Sequence, residues 1–133
     1  MVSNARAARA YRTTEIQSQS PVEMVVLLYA GALRFMSAAA DAIERGDLVA
    51  KRDAMSRALA IVAHLQCTLD MSAGGDVARS LDRLYDYVTT LLVDANARKD
   101  AGPVRESIQI MGSLHEAWAA IASPGFQAPA VQP

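Results

Sequence analysis

Six apolar residues, Val77, Leu81, Leu84, Val88, Leu91 and Ala95, recur at alternating steps of four and three. That spacing lays them along one side of an α-helix and on both sides of a strand, so it commits the segment to a helix with one buried stripe. Three further segments carry the same signature. Apolar residues run from Met24 through Tyr29 to Ile43, then at Met55, Leu59, Val62, Leu65 and Leu69, and then at Val104, Ile108, Met111, Leu114, Trp118 and Ile121. No run of strand length alternates with a period of two.

The boundaries are written in cap residues. Ser20-Pro21-Val22-Glu23 places a hydroxyl at the cap, proline at the first helical position and glutamate three residues after the cap, the pattern of a capping box. Gly46 supplies the stop, and Asp47 is expected to cap the second helix. Ser72-Ala73-Gly74-Gly75 ends that helix and Asp76 is expected to cap the third. Asp100, Gly102 and Pro103 break the chain before the fourth, which ends at Ser123-Pro124-Gly125. Four helices of about 20 residues joined by short loops predict an all-α fold, an antiparallel up-down-up-down four-helix bundle over residues 20–122. Residues 1–19 are expected to form a mobile N-terminal segment, helical or extended, and residues 123–133, with Pro124, Pro129 and Pro133 and no charge, a disordered tail.

At 133 residues and 52% hydrophobic content the chain can fill one core and no more. Thirteen Lys and Arg against 14 Asp and Glu leave a net charge of −1, which argues against bulk electrostatic binding to nucleic acid. The first 14 residues hold Arg6, Arg9 and Arg12 and no acid, so the rest of the chain is net −4. The single cysteine, Cys67, excludes an internal disulfide. No signal peptide is expected, since Arg9 and Arg12 interrupt the start before an apolar segment of that length, and the longest charge-free apolar run, Met24 to Leu33, is about half the length of a membrane span. A cytoplasmic protein without direct membrane insertion is expected.

The chemistry-bearing residues are few. No Glu is followed three residues later by His, which removes the di-iron bundle motif. His64 and Cys67 share a helical face, but His115 is the only other imidazole, so the expectation is a core cysteine beside a rim histidine and no metal. Gly74-Gly75 has no lysine with it and Asp76 follows, so it reads as a helix stop rather than a phosphate nest. Neither His64 nor His115 has the lysine and small residue that follow a phosphotransfer histidine. No nucleophile-base spacing is visible, and no enzyme activity or cofactor is expected.

What remains is surface. On the first helix, Val22, Val25, Val26, Tyr29, Ala32, Leu33, Met36, Ala40 and Ile43 form an arc wide enough for a core, and Glu23, Ala30, Arg34, Ser37 and Asp41 form a narrow polar strip. Met24, Leu27, Leu28, Gly31 and Phe35 make a second apolar set opposite the core arc. Either the helix is central and covered on both sides, or this set is a groove for an amphipathic partner helix or a second subunit. A homo-oligomeric structural protein and a histidine phosphotransfer bundle are the competing readings.

The chain also resembles a known family. Ser20-Pro21, Leu28-Tyr29-Ala30-Gly31-Ala32, Ala42-Ile43-Glu44-Arg45-Gly46-Asp47, Leu69-Asp70-Met71 before Gly74-Gly75, Leu84-Tyr85-Asp86-Tyr87, Ala95-Asn96 before Asp100, and Ala117-Trp118 before Ile121 fall in the order and spacing of the flagellar secretion chaperones (FliS). Tyr11 and Ile16 match that family's N-terminal segment, and Ala30 stands where the family usually has Asp. The resemblance implies a helical bundle that binds the disordered C-terminal segment of flagellin, blocks its premature polymerisation and helps deliver it to the flagellar type III export apparatus. It also implies a cover segment anchored by Tyr11 and Ile16 and export-gate components as further partners. The client surface is then expected on the second apolar set of the first helix, Met24, Leu27, Leu28, Gly31 and Phe35, and a monomer or weak homodimer is expected.

Overall fold

The structure, a computed structural model, describes residues 20–125. Four helices follow in order: α1, Pro21–Arg45; α2, Leu48–Cys67; α3, Gly75–Arg98; and α4, Gly102–Ala122. The helices pack as a ring in which α1 touches α2 and α4, and α3 touches α2 and α4. Side-chain bridges fix the directions. Lys51 near the start of α2 donates to the Asn96 carbonyl near the end of α3 (3.3 Å), and Gln66 near the end of α2 donates to Asp82 (2.9 Å) and Asp86 (2.8 Å) early in α3. Arg105 at the start of α4 pairs with Glu44 at the end of α1. Every neighbour is antiparallel, as in an up-down-up-down bundle.

The local caps form where they are expected. Ser20 Oγ accepts from the Glu23 amide (3.1 Å), Asp47 Oδ1 accepts from the Ala50 amide (3.0 Å), and Gly46 takes the left-handed conformation at φ 74° that lets the chain reverse into α2. Two boundaries differ from expectation. The second helix stops at Cys67, before Leu69, because Asp70 gathers the turn onto itself: its Oδ1 accepts from the Ser72 amide (3.1 Å), Ser72 Oγ (2.7 Å) and the Ala73 amide (3.0 Å). Asp76 is not the cap of the third helix. That helix begins at Gly75, its N-cap Gly74 offers no side chain, and Asp76 instead pairs with Arg79 within the first turn. At the far end of α3 Lys99 adopts the left-handed cap at φ 54°.

Tyr29, Met36, Met55, Val62, Leu65, Tyr85, Val88, Leu92, Val104 and Met111 form the centre and are shut off from solvent. Each such side chain contributes roughly 1.5–3 kcal/mol of transfer free energy. The stripe of α3 is turned from its expected setting. Leu81, Val88 and Ala95 are buried as expected, but Ala78, Tyr85 and Leu92 take the places of Val77, Leu84 and Leu91, and Val77 is 69% exposed. Ala78 is small enough for the turn at Gly74 to lie against it; a Cβ on Gly74 would come within 2.5 Å of the Ala78 Cβ.

On α1 the buried side is likewise turned. Gly31, Ala39 and Ala42 are buried while Val22, Val26 and Leu33 are only half-buried, because the helix is wedged between α2 and α4. By length and composition α1 could cross a membrane, with a mean hydropathy of 1.5, which counting only its charge-free run understates. In the bundle that apolarity is used by Tyr29, Ala32, Met36, Ala39, Ala40 and Ala42, all in the core. Cys67 is exposed rather than in the core, since it is the last residue of α2.

Candidate functional site

One end of the bundle is poorly closed. It is built by the start of α1, the end of α2 with its turn, the start of α3 and the end of α4, where antiparallel order brings them together. A cavity of about 360 Å³ opens there between Val25, Leu65, Leu69, Val77, Leu81, Tyr85 and Trp118, with Thr68, Asp70, Ala73, Gly74 and Ala78 at its edges. A second hollow of about 340 Å³ lies on the other side of Val77 and Leu81, towards Leu84 and Leu114. A third, about 250 Å³, runs between Glu23, Val26 and Leu27 of α1 and Ala122 of α4. Val77 and Leu81 form the ridge between the first two. Met24, Leu27, Met71, Val77 and Ile121 are exposed around this end.

The five residues expected to form a second apolar face are divided by α2. A Cβ on Gly31 would meet Ile61 Cδ1 at 3.3 Å, and the Arg57 guanidinium lies 5.6 Å from the Phe35 ring centroid, so position 31 faces 61 and position 35 faces 57. Gly31 is buried there, and Leu28 and Phe35 are half-buried against the core. The same register sets Met24 opposite Thr68, past the last residue of α2, so nothing from α2 covers it. Met24 is 42% exposed and Leu27 54%. The polar strip faces solvent as expected, with Ala30 half-buried and Arg34 beside Phe35 at 5.3 Å. Tyr11 and Ile16 lie outside the described residues, as does the tail from 126 onward.

At the floor of the large cavity stands a polar pair. The hydroxyls of Tyr29 and Tyr85 meet at 2.6 Å, with ring centroids 6.4 Å apart and tilted by 51°. Burial pushes both phenols above their ordinary range; for Tyr29, hydrogen bonding with Tyr85 and Trp118 partly offsets that rise. At the mouth, the hydrogen bonds from Ser72 and Ala73 hold the Asp70 carboxyl below the usual carboxylate range. Tyr87 stays on the rim, exposed, with its hydroxyl on Glu106 of α4. Among the described residues no three His, Cys, Asp or Glu side chains gather as metal ligands would.

An apolar cavity and exposed apolar side chains thus stand together at one end of the bundle. The model of the flagellar protein FliS family matches residues 3–125. The chain belongs to the FliS family of flagellar secretion chaperones. It is 36% identical to the flagellar secretion chaperone FliS of Salmonella typhimurium over 77% of both chains, and 32% identical to that of Vibrio cholerae over 83% of this chain and 84% of the other. The FliS of Campylobacter jejuni is 35% identical over 86% of this chain and 90% of its own. The FliS match takes in the whole of the open end, from Met24 to Ile121.

Met24 and Leu27, two of the five residues expected on the second face of α1, are exposed at this end together with Val77, Met71 and Ile121. The spacing of Val77 fits the core stripe expected for α3, yet it is exposed. No signal within α3 distinguishes position 77 from 78, since the choice is made by what packs across from them.

Proposed function

We propose that this chain binds the C-terminal segment of flagellin, keeps it from polymerising before export and hands it to the flagellar type III export apparatus. The observation that carries this reading is the open apolar end of the bundle, in a member of a secretion-chaperone family. A segment that buries amphipathic helices in a filament needs substitute neighbours while unpolymerised. The ridge of Val77 with hollows on both sides, and Met24 and Leu27 beyond the end of α2, suit a helix laid across them. Ordering such a segment carries an entropic cost, so an extended, wrapped contact is favoured over a compact one.

The action is binding without catalysis or cofactor, and its place is the cytoplasm, ahead of the export gate. Residues 1–19, basic and carrying Tyr11 and Ile16, serve as a cover for the client surface when no client is bound. Deleting residues 1–17 then raises affinity for the flagellin segment; unchanged or weaker binding would speak against the cover. The function itself is tested by seeding flagellin polymerisation in the presence of increasing chaperone. Filament growth should stop at one chaperone per flagellin, and growth unaffected at molar excess would refute the proposal.

A further inference from the structure

The hollow between α1 and α4 lies where the chain leaves its last helix. Its walls are Val26 and Leu27 of α1 and Ala122, the last residue of α4, with Glu23 at the lip. Leu27 is left largely open to solvent there. At about 250 Å³ the hollow can take an aromatic ring, since an apolar cavity of about 150 Å³ already takes up benzene.

The exit from α4 is fixed against the helix. The Ser123 amide donates to the Ala120 carbonyl (3.2 Å), and the Ser123 hydroxyl donates to the Ala119 carbonyl (3.0 Å). Pro124 and Gly125 then form a turn, with Gly125 at φ 85°. Proline followed by glycine at such a φ is the signature of a type II turn, which reverses the chain. The residues after Gly125 are thereby sent back towards the bundle rather than away from it. They run Phe126-Gln127-Ala128-Pro129-Ala130-Val131-Gln132-Pro133, with no charge and one aromatic ring. Phe126 adjoins the turn, so almost no loop remains to be closed before its ring meets the hollow. In the other terminal segment the nearest large apolar residue, Ile16, stands four residues from Ser20.

We infer that residues 126–133 fold back over this hollow and seat the Phe126 ring between Val26, Leu27 and Ala122. The seat rests on the turn and the hollow, not on the client reading above. Where that reading holds, a client helix that takes Leu27 must first displace Phe126, so the tail is a second, C-terminal cover on the open end.

The test is methyl NMR of the full-length chain without any client, reading the Val26 and Leu27 signals. Phe126→Ala should move both, because the ring no longer shields them, and should lower the melting temperature by about 3–5 °C, as expected for one half-buried ring. Val131→Ala should leave both signals in place. Gly125→Val, which disfavours φ 85° and so loosens the turn, should move them part of the way towards their Phe126→Ala positions. Val26 and Leu27 signals unchanged by Phe126→Ala would overturn the seat. Signals that move when residues 1–17 are deleted but not in Phe126→Ala would give the hollow to the other terminus, and signals that move on dilution but not in Phe126→Ala would give it to a second copy; either overturns the inference. The readout contains no flagellin, so its failure leaves the chaperone reading standing, and a failure to bind flagellin leaves the seat standing.

Discussion

Tyr29 and Tyr85 join α1 to α3 across the diagonal of the ring, through hydroxyls 2.6 Å apart, although these two helices share no backbone contact. The other inter-helical contacts run between neighbours. This bond ties the diagonal pair together below the open end, and Tyr85 also lines the cavity.

Removing one member of the pair leaves the other hydroxyl buried without its partner. Tyr29→Phe should lower the unfolding free energy by about 1–2 kcal/mol, and the double variant Tyr29→Phe with Tyr85→Phe should recover part of that loss. Urea unfolding of the three variants measures both, with additive losses counting against the bond.

The same burial makes stability depend on alkaline pH. Both phenols have folded values raised above the ordinary 10.0, so the protonated forms are favoured by the fold. Their contribution is complete below pH 10 and is lost as the pH climbs above it, where the unfolded chain releases protons that the folded chain retains. Phenolate absorbance and helical circular dichroism, followed together, should show these two tyrosines ionising only as the helices melt. Ionisation of every tyrosine near pH 10 with the helical signal intact would contradict their burial.

Gly31 tests the register between α1 and α2. Within a helix, Gly→Ala gains up to about 1 kcal/mol, set against a contact of 3.3 Å with Ile61 Cδ1, the mobile end of a side chain. Gly31→Ala should be neutral or stabilising in thermal unfolding, and Gly31→Leu destabilising by about 1–3 kcal/mol. A tolerated leucine would mean that α2 does not lie there.

The surface of the open end should separate binding from stability. Val77→Ser, at a residue 69% exposed, should change stability by no more than about 0.5 kcal/mol yet weaken flagellin binding by about 1 kcal/mol or more. Met36→Ala, in the core, should cost about 2–5 kcal/mol of stability. Calorimetry and denaturant unfolding on both variants check the contrast.

How far the sequence could be read follows from the range of each interaction. The caps at Ser20, Gly46 and Asp47 were legible because a cap is closed within three or four residues. The start of α3 was not, because Gly74 caps with backbone alone and Asp76, the conspicuous polar residue, was already engaged with Arg79. Which stripe of α3 is buried depends on Tyr29, 56 residues away, and no wheel drawn on α3 contains that information. The excess apolar character of α1 was visible, but its division into covered residues (Leu28, Gly31 and Phe35) and open ones (Met24 and Leu27) depends on where α2 ends. That end is set by Asp70. The cavity draws walls from all four helices and was invisible for the same reason.

The central claim is tested most directly by titrating the full-length chain with the C-terminal segment of flagellin from the same organism, against a segment truncated before its last helices. The account expects saturable one-to-one binding to the complete segment and none to the truncated one. Equal binding to both, or to neither even after residues 1–17 are deleted, would contradict it.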